Sequence, residues 1–118
     1  MIEQLGREPQ TYHSTLHYWS APGVGTQSGK TITATSTLCD GFHTYGAAVY
    51  SDHVDFYLDG QKMASTPASA VGLTDLTAWQ DEVNINLDMG GNWAGTPTIS
   101  GPVSMLVDYV HVYALNGP

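Results

Sequence analysis

The sequence predicts an all-β fold, an antiparallel sandwich or barrel of about seven strands with almost no helix. Three observations carry this reading. Thirteen Gly and six Pro punctuate runs rich in Thr, Ser, Tyr and Val, the mixture of short strands joined by turns. Several of those runs alternate apolar and polar residues with a period of two. Charged residues make up only 12%, about half the ~25% of an ordinary soluble domain. Three Trp, seven Tyr and two Phe supply apolar area that a core must cover. At 118 residues, a single domain, 1–118, is expected.

The elements follow in order. Thr11 to Trp19, TYHSTLHYW, alternates so that His13, Thr15 and His17 share one face and Tyr12, Ser14, Leu16 and Tyr18 the other. Ala21 to Lys30 is rich in Gly, Ser and Pro and reads as a loop. Thr31 to Thr37 alternates Ile and Ala with Thr, a strand. Phe42 to Tyr50 and His53 to Leu58 are two β-rich runs split by Ser51-Asp52, a hairpin. Asp59-Gly60 is a second turn, across which Gln61 to Ala64 pairs back. Thr66 to Ala78 is an irregular connection, with one helical turn near Leu73 to Trp79. Glu82 to Leu87 alternates again, Val83, Ile85 and Leu87 against Asn84 and Asn86. Met89 to Trp93, MGGNW, is a loop. Val103 to Leu115 is the strongest strand signal, Met105, Val107, Tyr109, His111 and Tyr113 alternating with Leu106, Asp108, Val110 and Val112.

Three Lys+Arg against eleven Asp+Glu leave a formal charge of −8. So acidic a chain has no electrostatic footprint for nucleic acid or an anionic membrane. A neutral partner such as a sugar is compatible. Cys39 is the one cysteine, which excludes an internal disulfide and a Cys-rich zinc site and reads as a buried or free thiol. No apolar run approaches the ~18 residues of a membrane span. Met1-Ile2-Glu3-Gln4 does not read as a signal peptide.

Four stretches, in order and over nearly the whole chain, carry a resemblance. Ile2 to Pro9, IEQLGREP, leads into Thr15-Leu16-His17-Tyr18. Asp40 to Tyr45, DGFHTY, precedes Val54 to Gly60, VDFYLDG. Asn84 to Gly95, NINLDMGGNWAG, precedes Val107 to Tyr113, VDYVHVY. Together they resemble glycoside hydrolase family 16, and within it the laminarinase-like endo-β-1,3-glucanases. The resemblance implies a β-jelly roll, here in its C-terminal portion, and a retaining endo-acting hydrolase of β-1,3-glucan. The family's catalytic strand carries Glu-x-Asp-x-x-Glu: nucleophile, assisting aspartate and general acid/base. Retaining hydrolysis needs two carboxyl groups about 5–5.5 Å apart. By register Glu3 takes the last position of that motif, as general acid/base, and the other two positions fall before Met1. The expectation is therefore an incomplete catalytic pair. Glu8, in a loop beside Pro9, is a weaker substitute.

The resemblance also implies contacts to sugar. His17 falls where a cleft-lining residue is expected; its alternative is an ordinary sheet histidine. His13 is a weaker candidate, and on a strand the two His lie roughly 13 Å apart, too far to share an ion. Trp19 and Trp93 are loop-placed aromatics whose faces would stack on sugar rings, whereas Trp79 reads as interior packing. Asn86 faces away from its apolar neighbours and would contact hydroxyls; its alternative is a solvated face. His43 reads as structural, without an acidic neighbour at motif spacing. Asp55 and Asp59 read as turn chemistry and solvated face. Asp108 matches an aspartate that binds structural calcium in many family members, but calcium takes six to eight oxygens, so the site is incomplete. No cofactor is required. Partners expected are a β-glucan and a second copy, since a partial jelly roll leaves edges unpaired, in a homo-oligomer, most simply a dimer. The family's setting is extracellular. The competing reading is a non-catalytic glucan-binding module or a structural remnant that self-associates.

Overall fold

The computed structural model describes residues 1–78 and 82–115. Trp79 lies outside them. The chain divides into two compact units, Met1–Gln80 and Asp81–Pro118.

The first unit is all-β apart from one short turn of 3-10 helix. Its strands are β1 (Ile2–Glu3), β2 (Thr11–Ala21), β3 (Val24–Thr33), β4 (Tyr45–Val49), β5 (His53–Leu58) and β6 (Gln61–Pro67), followed by the 3-10 turn Ala68–Val71. They form two antiparallel three-stranded sheets, β1-β2-β3 and β4-β5-β6. The first sheet is a long hairpin with a short strand added. β2 and β3 pair from Thr11↔Thr33 to Trp19↔Gly25, with a bulge before Ala21↔Val24. The hairpin turns through Pro22-Gly23, where Gly23 has φ 77°; Pro before a positive-φ Gly is the chemistry of a tight turn. β1 adds to β2 with Glu3 opposite His13. In the second sheet, Asp59 (φ 50°) and Gly60 (φ 78°) make a two-residue hairpin turn, the Asp-Gly pair that matches strand twist.

Alternation along β2 and β5 builds the core. Tyr12 and Ser14 are fully buried on one side of β2. Tyr12 packs with Ile32, Leu38 and Leu58, while Val54 and Phe56 pack with Ala68 and Leu76; Ile2 and Ala64 touch both groups. Burying each such large side chain contributes about 1.5–3 kcal/mol. The opposite side of β2 is left to carry chemistry.

Several sequence expectations are corrected. The stretch Ala21 to Lys30 is mostly strand, not loop, because β2 offers it a continuous backbone partner and its glycines face side chains on β2. The expected strand at Thr31 to Thr37 is only the end of β3; beyond it, the Ala34 amide bonds to the Gln10 carbonyl at 2.8 Å and the Leu38 amide to the Pro9 carbonyl at 2.7 Å. β4 begins at Tyr45, and Phe42 is exposed. The helical turn falls at Ala68–Val71 rather than Leu73 to Trp79.

In the second unit no described residue belongs to a strand, so the expected strands Glu82 to Leu87 and Val103 to Leu115 are not formed. Alternation with a period of two specifies a face, but a strand also needs a neighbour to take its backbone groups. The alternating residues Val83, Ile85, Leu87, Met105, Val107 and Tyr109 are exposed. The loop at Met89 to Trp93 is as expected: Gly90, Gly91 and Gly95 have positive φ, and the Gly95 amide bonds back to the Gly91 carbonyl at 2.9 Å.

Candidate functional site

The face of the first sheet turned away from the core is built by register. Residues directly opposite in an antiparallel pair share a face. Glu3 opposes His13, His13 opposes Thr31, Thr15 opposes Gly29, His17 opposes Gln27 and Trp19 opposes Gly25. One surface therefore carries Glu3 at one end, a row of His13, Thr15, His17 and Trp19, and a second row of Thr31, Gly29, Gln27 and Gly25. It is polar and aromatic, and the two glycines lower it on the β3 side.

At the Glu3 end the side chains form a chain of hydrogen bonds. His13 Nε2 lies 3.1 Å from Glu8 Oε2 and its Nδ1 3.1 Å from Thr31 Oγ1. The Glu8 carboxylate accepts, so Nε2 donates to it. The Thr11 hydroxyl also donates to Glu8 Oε2 at 3.0 Å, and Arg7 Nε to Oε1 at 3.2 Å. The Thr11 hydroxyl first, then His13, hold the Glu8 carboxyl below its ordinary range. Glu8 is thus an ionised acceptor with three donors, ill-suited to give or take a proton. Glu3 itself is part-exposed on β1.

At the far end, His17 and Trp19 stack, with ring centroids 5.2 Å apart and planes 5° from parallel. Burial, then the nearby chain amino group, lowers the His17 pKa against an opposing pull from Glu3; the ring is neutral at neutral pH. His17 Nε2 is shut off from solvent with no hydrogen-bond partner. His17, expected to line a cleft, has its ring packed against Trp19. Trp19 is 62% exposed.

The other candidates lie in the second unit. Asn86 and Trp93 are both exposed. The Asn86 amide nitrogen donates to the Asp88 carboxylate. Asp108 is exposed as well, and among the described residues no three His, Cys, Asp or Glu side chains converge as a cation site. Cys39 is an exposed free thiol.

Two clusters escaped the sequence reading. His43 does have an acidic partner: Asp59 Oδ2 lies 2.8 Å from its Nδ1, and Asp59 Oδ1 accepts the Thr44 amide at 2.9 Å. The partner comes from across a hairpin, so no short motif shows it. Asp55 is buried, at 4% exposure, on the face of β5 opposite Val54, Phe56 and Leu58. Lys62 Nζ donates to its Oδ2 at 3.0 Å, while His53 Nε2 stands 3.6 Å from Oδ1, beyond hydrogen-bond range. Burial alone would push the Asp55 carboxyl up, but the Ser65 hydroxyl and the Lys62 ammonium outweigh it and hold it low. The signal lay in the turn: Asp59-Gly60 brings Lys62 back alongside β5.

Comparison with known proteins agrees with the sequence resemblance. The family model for glycosyl hydrolases family 16 matches residues 1–111. The chain is 30% identical over 120 residues to the endo-1,3-1,4-beta-glycanase EglC of Rhizobium meliloti (strain 1021), an alignment covering 98% of this chain and 23% of that protein. The chain therefore spans about a quarter of the relative's length. No solved structure matches it. With the family matched across nearly all of its length, on an all-β frame of two antiparallel sheets, the chain belongs to glycosyl hydrolase family 16.

Proposed function

We propose that the chain is part of a retaining endo-acting glycoside hydrolase for β-1,3-glucan, with Glu3 as its general acid/base. One observation carries this: Glu3 stands at the head of the sheet face that presents His13, His17 and Trp19, so a glucan lying along β2 would pass directly over the carboxyl. Glu3 would protonate the leaving oxygen and then deprotonate the attacking water. His13, fixed between Glu8 and Thr31, would position rather than react. The named activity of the relative makes mixed 1,3-1,4-linked glucan the natural comparison substrate.

For the 118-residue chain by itself the reading is binding without turnover. Glu8 is the other carboxylate tied to this face, and its three donors hold it ionised. Retaining hydrolysis needs both carboxyl groups. Reducing-sugar release from laminarin and from mixed-linkage glucan should be negligible, while calorimetry with laminari-oligosaccharides should give millimolar-range affinity, as one or two ring stacks allow. Turnover at ordinary endo-glucanase rates, abolished by Glu3→Gln, would overturn the incomplete pair. We also infer a dimer: among the described residues each sheet has three strands, and edge strands of this kind invite pairing with a second copy. Light scattering should give twice the chain mass; a monomer with a cooperative melt refutes it.

A further inference from the structure

We propose that His53 and Asp55 form a binding site for a divalent transition-metal ion of the Zn2+ class, on the outer face of the second sheet, with Asp52 holding the imidazole for it. The site stands independently of the glucan reading.

The geometry starts from the strand period. His53 and Asp55 are two residues apart on β5 and so share a face; Val54 and Phe56, on the other, are buried in the core. Asp55 is buried too, at 4% exposure. Its Oδ2 accepts from Lys62 Nζ at 3.0 Å, but its Oδ1 is shut off from solvent with no hydrogen-bond partner among the described residues. A buried carboxylate oxygen calls for a cation or a donor. What faces it is His53 Nε2, at 3.6 Å. The Asp52 carboxylate accepts, and its Oδ1 lies 2.6 Å from His53 Nδ1, so Nδ1 donates there. The tautomer with its proton on Nδ1 turns the Nε2 lone pair toward Asp55 Oδ1. One nitrogen and one oxygen, both electron-pair donors, then face each other across a gap.

That gap has the span of a metal bridge. Zn–N and Zn–O bonds are both about 2.1 Å, so two ligand atoms at the tetrahedral angle lie ~3.4 Å apart. Imidazole nitrogen and carboxylate oxygen are both zinc ligands, and the imidazole favours a transition metal over calcium or magnesium. A carboxylate behind the ring is the usual outer partner of a metal-bound histidine, and Asp52 supplies it. Tyr50 stacks on the His53 ring, with centroids 4.5 Å apart and planes 12° from parallel, and fixes its plane. The Asp52 carbonyl accepts the Ala68 amide at 2.7 Å, which anchors the turn that carries the outer carboxylate. The His53 side chain is 31% exposed, so water can complete the positions that two protein ligands leave open. The formal charge of −8 draws cations to the chain.

The test is calorimetric titration of the chain with Zn2+ at neutral pH, in a buffer that does not chelate it. The parent should show a saturable site, and Zn2+ should raise its Tm by mass action. In NMR spectra the His53 ring resonances should move first among the histidines. His53→Gln and Asp55→Asn should each weaken binding by about tenfold or more, and Asp52→Ala by about tenfold, the usual cost of losing an outer carboxylate. Asp52 is exposed and His53 half-buried, so circular dichroism should show both of those variants folded as the parent is. They decide the matter even where Asp55→Asn fails to fold. Affinity unchanged in His53→Gln places the ion elsewhere and overturns the site. Affinity unchanged in Asp52→Ala overturns the role given to Asp52. Absence of Zn2+ binding by the parent overturns the whole proposal and leaves a proton or a water as the link between the two side chains.

Discussion

Tyr12→Phe should stabilise the protein. Tyr12 is fully buried near the start of β2, and its ring meets Tyr45 edge-on at 5.6 Å. Its hydroxyl has no hydrogen-bond partner among the described residues. Burying an unsatisfied hydroxyl costs about 1–3 kcal/mol. Removing one oxygen leaves a void of roughly 10 Å³, worth only about 0.2 kcal/mol at the usual cavity coefficient. The net gain is about 1 kcal/mol or more. For a unit of this size that raises Tm by about 4–8 °C per kcal/mol. Calorimetric melts of parent and variant decide it, with Tyr12→Ala as the opposite control, expected to lose about 3–5 kcal/mol. A Tyr12→Phe variant less stable by 1 kcal/mol would refute the reasoning, because the hydroxyl must then have a partner. The strand concerned is the one that presents His13, His17 and Trp19 on its other side, so its packing sets the site.

Two further outcomes follow from the buried and titrating groups. Lys62→Met leaves the buried Asp55 carboxylate without its nearest cation, and the loss should be read as a lower urea midpoint. Acid should destabilise the fold steadily. The half-buried His17 has a lowered pKa, so the unfolded chain takes up its proton first and stability falls as the pH drops below about 6.5. Asp55 and Asp59, held low by their hydrogen-bonded partners, contribute stability above their unfolded values that is lost as the pH falls through their folded ones. Urea midpoints at pH 7, 5.5 and 4 should therefore decrease in order; a rise between pH 7 and 5.5 contradicts the His17 assignment, and no fall between pH 5.5 and 4 contradicts the aspartate one.

The sequence made the first unit legible where local chemistry and tertiary demand agreed. The alternation of TYHSTLHYW, the run His53 to Leu58 and the Asp59-Gly60 turn each survive in the structure. It misled at Ala21 to Lys30, where Gly25 and Gly29 read as loop residues. They are strand glycines that give room to Trp19 and Thr15 across the hairpin, a role that shows only once the register is known. It also misled at Val103 to Leu115, whose pattern is right for a strand but whose residues join none among the described residues. On the site, His13 and His17 share one face, as the period of two implied; Trp19, expected in a loop, stands in β2 on that same face, and Glu3 reaches it through the pairing of β1 with β2. The Glu8–His13–Thr31 chain and the buried Asp55 were not visible, because each joins residues from different strands or a loop and a strand. No composition or short spacing encodes that.

The most direct test of the glucan face is amide chemical-shift mapping of the chain with a laminari-oligosaccharide of six units. The account predicts that the moving resonances cluster on Glu3, His13, His17, Trp19, Gly25, Gln27 and Thr31. Shifts confined to the outer face of the second sheet, around His53 and Lys62, or no shifts at millimolar oligosaccharide, would contradict it.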